Sequence, residues 1–282
     1  MSADAVEARR ALAEAAGMGV PGPYDALSAL PQALREGVDA LLLAFADDAM
    51  LQGHRDAEWT GLGPILEEDI AFSSMAQDEL GHAQVLYRLR HEHLGAPDPD
   101  AQAFLRDAAA WRNARLVELP RGDFAFALVR RALFDLAKAV QYDALRQSPV
   151  RELAVAATKL RQEKKYHLLH DRAFVTRLGR ATAASHDRLQ AALEAAFPAA
   201  CDLFEPSDGL AALAAAKLVP GADVLRSVWL AAVCQLADDA GLNVPAADPA
   251  ALGGRRGDHT EHLEPLLAAM QGMFRSDPEA TW

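Results

Sequence analysis

Apolar positions along this chain recur mostly at steps of three and four, the spacing of one face of an α-helix. From about Pro31 to Arg55 the stripe reads Leu34, Val38, Leu41 and Phe45, and it continues through Asp48 and Gln52. The segment Thr60-Gly61-Leu62-Gly63-Pro64 reads as a turn, with Pro64 suited to a helix start. A second helix, 65–93, carries Ile65, Glu68, Phe72, Met75, Glu79, His82, Leu86 and Leu89 on one face. A third is predicted over 124–147, ended by Ser148-Pro149. The fourth, 150–178, has the stripe Leu153, Ala156, Leu160, Glu163, His167, His170, Phe174 and takes Gly179 as its C-cap. These four make two long hairpins, 31–93 and 124–178.

Shorter helices are predicted at 101–117, 185–204, 209–217 and 223–240, and a last one from Asp258, where Asp258 and Glu261 fit a capping-box-like pattern. A short helix is expected over residues 3–16, broken by GMGVPGPY (17–24), so 1–24 is expected to be an arm and 25–282 a single domain. No stretch alternates with period two between turn signals. The expected fold class is therefore all-α: a four-helix bundle with additional C-terminal helices.

Composition adds exclusions. With 28 basic and 40 acidic residues the chain carries a net charge of −12, which argues against nucleic acid or an anionic membrane as partner. No apolar run approaches the roughly 20 residues of a membrane span. The N-terminal MSADAVEARR has no secretory pattern, and Cys201 and Cys234 lack C-x-x-C spacing. They read as buried free thiols of a cytoplasmic protein.

The polar members of the stripes carry the chemistry. Glu79 and His82, three apart, lie one above the other on a helix, the ligand pair that ferritin-like carboxylate proteins contribute from helices of a bundle. Residues equidistant from a hairpin turn share one depth. Counted from Leu62, the mirror of Glu79 is position 45, within a turn of Asp48; counted from Pro149, the mirror of Glu163 is Asp135. Asp48, Glu79, His82, Asp135, Glu163 and His167 thus form the inventory of a partial di-metal site. Three features depart from the pattern: both aspartates are a methylene shorter than glutamate, Tyr166 stands three after Glu163, and Lys138 and Arg131 lie one turn from Asp135. The other reading is a buried polar network neutralised by its own cations. Asp47, Glu67 and Asp69 read as solvated surface carboxylates, and His91 and His93 as surface residues.

Several longer segments then carry a resemblance. They are Asp47-Asp48-Ala49, Glu58-Trp59-Thr60-Gly61, Leu66-Glu67-Glu68-Asp69-Ile70-Ala71, Phe104-Leu105-Arg106-Asp107, Val117-Glu118-Leu119-Pro120 with Gly122-Asp123-Phe124-Ala125-Phe126, Tyr166-His167-Leu168, Gly254-Arg255 and His259-Thr260-Glu261-His262-Leu263. Over about residues 36–275 the chain resembles the structural C subunits of multicomponent phenylacetyl-coenzyme A epoxidases. The resemblance implies a ferritin-like fold, no catalytic residue and no cofactor in this subunit. It further implies pairing with a homologous di-iron catalytic subunit, a small accessory subunit and a reductase, in aerobic phenylacetate catabolism. The family pattern has Gln where this chain has His82, so iron at the partial site stays open. The local cationic feature of Arg255, Arg256, His259 and His262 is expected to touch a partner subunit or the CoA thioester. The rival reading is a self-sufficient di-metal carboxylate oxidase or oxygenase. A metal-storage shell is disfavoured, since nothing in the sequence specifies self-assembly.

Overall fold

A computed structural model describes residues 24–246, 252–277 and 280. The expected helix at 3–16 lies outside the described residues, as does the arm up to residue 23. Among the described residues there is no strand, and no helix is long and apolar enough to cross a membrane. The helices are α1 (Gln32–Ala57), α2 (Leu66–Leu94), α3 (Pro99–Phe104), α4 (Phe124–Leu145), α5 (Arg151–Ala181), α6 (Ala183–Ala200), α7 (Leu210–Ala215), α8 (Ala222–Ala240) and α9 (Leu263–Ser276).

Two hairpins, α1/α2 and α4/α5, form the centre, each packed along its length. α6 and α8 lie against α4 and α5, α7 against α1, and α9 against α3. Trp229 of α8 fixes the outer layer to the inner one. Its indole N–H donates to the Leu133 carbonyl of α4 at 3.0 Å, while its ring stacks on Phe197 of α6 at 5.6 Å. Asp123 caps α4 by accepting from the Phe126 N–H at 2.9 Å, which sets where the third long helix begins. Between the hairpins the α1 and α4 backbones stay further apart than those within a hairpin. Long charged side chains fill that space.

Several expectations are corrected. The helix predicted at 101–117 stops at Phe104, and 105–117 continues through two short 3-10 turns. The reason is that this segment's amides are taken by buried carboxylates: Arg112 N–H donates to Asp47 at 2.8 Å and Ala114 N–H to Asp48 at 2.7 Å. Asp47 is accordingly fully buried rather than a surface carboxylate. The last helix begins at Leu263 and not near Asp258, because buried Glu118 binds the Thr260 N–H and hydroxyl at 2.7 Å each and pulls residues 258–260 out of helical geometry. Gly179 lies inside α5 instead of ending it. A Cβ there would sit 2.4 Å from the Ala240 carbonyl, so this glycine permits the close approach of α8. Of the two free thiols Cys201 is buried, but Cys234 is exposed.

Candidate functional site

The inward face of α2 carries Glu68, Phe72, Met75, Glu79, His82 and Leu86, as its spacing predicts. Ile65, placed on the same stripe, is exposed ahead of the helix. On α5 the inward face is Leu153, Leu160, Lys164, His167, Asp171 and Val175. That face keeps Leu153, Ala156, Leu160 and His167 of the predicted stripe but takes Lys164, Asp171 and Val175 where Glu163, His170 and Phe174 are expected. Lys164, rather than Glu163, is the buried partner of His167, and Tyr166 points to solvent. The helices α2 and α5 therefore present Glu79-x-x-His82 and Lys164-x-x-His167 to each other. Both are i, i+3 pairs on one face, with a cation in the second where an acid stands in the first.

The Lys164 ammonium donates to both Glu79 and, at 2.5 Å, to Asp135 of α4. Arg131 takes the other Asp135 oxygen at 2.9 Å and pairs with Asp56 of α1, so a continuous chain of buried charges runs across the bundle. His167 Nδ1 lies 3.5 Å from oxygens of both Glu79 and Asp135, and His82 Nδ1 lies 3.4 Å from Glu79. These are ion-pair contacts, too poorly aligned to count as hydrogen bonds. The outer ring nitrogens are anchored at the surface: His82 Nε2 to Glu163 at 2.6 Å and His167 Nε2 to Asp78 at 3.0 Å. Glu163 is 39 % exposed, at the rim of the cluster.

Asp48 is elsewhere. It is fully buried, held by Arg255 at 2.6 and 2.7 Å and by Lys138 at 2.7 Å. The mirror count fails because the 58–65 connection is lopsided. A Cβ on Gly53, not on Asp48, would touch Glu79, at 3.0 Å from its Cβ. Gly53 is five residues from Asp48, about 7.5 Å at 1.5 Å per residue. Lys138 accordingly neutralises Asp48, and the cations beside Asp135 are Arg131 and Lys164, the second of which the helical stripe does not single out. Arg255 is buried, not exposed, and also donates to the carbonyls of Ala44 and Arg112. His259 binds Glu118 at 2.7 Å. Of the four residues expected at a partner surface, Arg256 and His262 keep substantial exposure, and Arg256 reaches back to Glu205 at 2.5 Å.

Charge states follow from the geometry. Burial opposes ionisation of Glu79 and Asp135, but Lys164 outweighs it, and both carboxyls are held below their ordinary range. Burial opposes a charge on His167 too; Asp135 and the bond to Asp78 overcome it and lift its pKa to about 10. Against burial, Glu163 and Glu79 raise His82 likewise. Lys138 goes the other way: burial, with Asp48 only partly compensating, lowers it to about 8.

Oxygens of Glu79 and Asp135 and a nitrogen of His167 lie within 4.8 Å of one another, a spacing a metal ion could occupy. A di-metal centre does not fit these residues. The ammonium takes the carboxylate lone pairs that would face the ions, Glu163 is turned to the rim, and α1 offers Gly53 where a fourth carboxylate is needed. A divalent ion 4 Å from Lys164 would be repelled by about 8 kcal/mol at an effective dielectric of about 20.

Residues 23–282 match the phenylacetic acid catabolic protein family. The C subunit of the 1,2-phenylacetyl-CoA epoxidase of Escherichia coli (strain K12) is 33 % identical over 243 residues, covering 86 % of this chain and 98 % of the relative.

Proposed function

Because the chain belongs to the phenylacetic acid catabolic protein family, we propose that it is the non-catalytic structural subunit of a phenylacetyl-CoA ring-epoxidising monooxygenase that works in aerobic phenylacetate catabolism in the bacterial cytoplasm. The observation that carries the non-catalytic role is the Lys164 ammonium between Glu79 and Asp135, where an oxygen-activating subunit would hold metal. The similarity to the C subunit of an epoxidase over nearly all of that relative supports the assembly. In this reading the irons sit in a homologous catalytic subunit, supplied with electrons by a reductase and joined by a small accessory subunit. The present chain contributes a rigid helical body to that pair. Arg256 and His262, which keep exposure at the rim before α9, are the residues assigned to the partner or the CoA thioester.

The alternative, a self-sufficient di-metal oxidase, is favoured only by the clustering of Glu79, Asp135 and His167. Lys164 at its centre argues against it. Co-expression with the catalytic subunit tests the proposal: the two chains co-purify, the pair epoxidises phenylacetyl-CoA when the reductase is added, and this chain alone retains no stoichiometric iron after anaerobic loading. Two irons per isolated chain, with oxygen consumption lost in Glu79→Ala, would overturn it.

A further inference from the structure

We propose that Lys164 is the resident cation of a closed metal site: Glu79, Asp135 and His167, with His82 beside Glu79, form a mononuclear divalent-ion site that the chain's own ammonium fills and keeps shut. This inference uses the same lysine as the reading above, but it concerns the isolated chain and does not depend on any partner.

Three observations carry it. The donors converge, since Lys164 alone separates Glu79 from Asp135 and the inner nitrogen of His167 lies 3.5 Å from both. Next, the buried atoms around the ammonium include Glu79 Oε2, His82 Nδ1 and His167 Nδ1, none of which has a hydrogen-bond partner. Unpaired buried polar atoms are disfavoured, and three at one locus suit a ligand shell. Finally, each imidazole is oriented as a metal ligand is: one ring nitrogen bound outward to a carboxylate, Glu163 or Asp78, and the other aimed inward. Two carboxylates and an imidazole within 4.8 Å of one another, with a second imidazole beside Glu79, favour zinc, cobalt(II) or another first-row divalent ion over magnesium or calcium.

Keeping the ligands while supplying the cation covalently has a structural consequence. The buried carboxylates stay neutralised whatever the metal supply, so the bundle folds as an apoprotein. Removing the ammonium uncovers two buried anions and should make folding depend on an added ion.

The test uses the full chain with Lys164→Met, cobalt(II) chloride as the probe, and three readouts: metal content, the d–d absorption of bound cobalt, and thermal stability. The wild-type chain is expected to bind no stoichiometric cobalt and to show the same Tm with cobalt or with a chelator. K164M is expected to bind about one equivalent with a tetrahedral visible spectrum, and its Tm should fall in chelator and recover with cobalt. Adding His167→Gln should remove both the spectrum and the recovery. The triple variant K164M/E79Q/D135N, which has no buried charge to neutralise there, should fold in chelator and ignore cobalt. If K164M folds only when refolded with cobalt, the proposal stands. It falls if K164M binds no cobalt, if it stays unfolded with cobalt while the triple variant folds, or if the wild-type chain takes one equivalent with Lys164 in place. Failure here leaves co-purification with a catalytic subunit unaffected, and failure to co-purify leaves cobalt binding by K164M unaffected.

Discussion

Arg255 and Arg256 are neighbours in sequence and opposites in the fold. The Arg255 guanidinium is buried and holds Asp48 through two bonds while donating to the carbonyls of Ala44 and Arg112. The Arg256 side chain is 66 % exposed and makes one ion pair, to Glu205. Removing one member of a buried pair leaves an uncompensated charge, so Arg255→Ala should destabilise the chain by about 3–5 kcal/mol in urea unfolding. Lys138 beside Asp48 softens the loss towards the lower figure. Arg256→Ala should cost less than Arg255→Ala, because its guanidinium is solvated and the buried Glu205 keeps the bond from the Arg255 N–H at 3.0 Å. Equal effects of the two would contradict the assignment of Arg255 to the interior. In the sequence both belong to one cationic patch, because a run of like charges says nothing about which member finds a buried anion 207 residues away. Lys164 is hidden for a related reason. Lysine is rarely buried, so periodicity does not mark it as a core position, although Lys164-x-x-His167 has the same spacing as Glu79-x-x-His82.

The long helices and their order were legible, because apolar periodicity persists over many turns and marks one face. Faces and depths were less so. On α5 the neighbours Glu163 and Lys164 project about 100° apart beside the shared Leu160 and His167, and only packing against α2 and α4 chooses between them. On α1 the depth of Asp48 depended on the path of the 58–65 connection, which periodicity does not encode. Segment 105–117 has helix-forming composition, yet its amides serve Asp47 and Asp48, a tertiary override of local preference. Gly179 is the sharpest case at this scale. Read alone it is a helix terminator; in the fold it is the contact point of α5 with the end of α8, where a Cβ would meet the Ala240 carbonyl at 2.4 Å and the Ala240 side chain at 2.9 Å. Backbone cannot retreat as a flexible side chain can. Gly179→Ala should therefore destabilise by about 1–3 kcal/mol despite the higher helix propensity of alanine. Gly272→Ala in α9, with open space around it, should stabilise slightly. Thermal denaturation of the two variants checks the contrast, and a stabilised G179A would show that α8 does not pack there.

Across the whole molecule, the two hairpins are joined by buried ion pairs set in a continuous apolar core: Asp48 to Lys138, Asp56 to Arg131, Glu79 to Lys164. Such a centre makes stability depend on pH in a direction that can be worked out. Against burial, Asp135 and Asp78 raise His167 from an ordinary 6.5 to about 10. Below about pH 6.5 it is protonated both folded and unfolded, and its full contribution is present. Between about 6.5 and 10 the folded chain keeps the proton while the unfolded chain gives it up, so stability falls as pH rises, by up to about 1.4 kcal/mol per unit. Lys138, lowered from 10.5 to about 8 by burial, acts oppositely. Above pH 8 the folded chain is relieved of a buried charge that the unfolded chain still carries, and stability rises towards 10.5. The two trends overlap, so the wild-type profile alone does not separate them. Comparison with His167→Gln does, since the glutamine cannot titrate and leaves Lys138 in place. Urea unfolding of both chains between about pH 6.5 and 9.5 should give curves that converge with rising pH, the wild type losing stability relative to H167Q across that window. Parallel curves would mean that His167 is neutral in the folded chain and that Lys164 and Arg131 neutralise Glu79 and Asp135 without it.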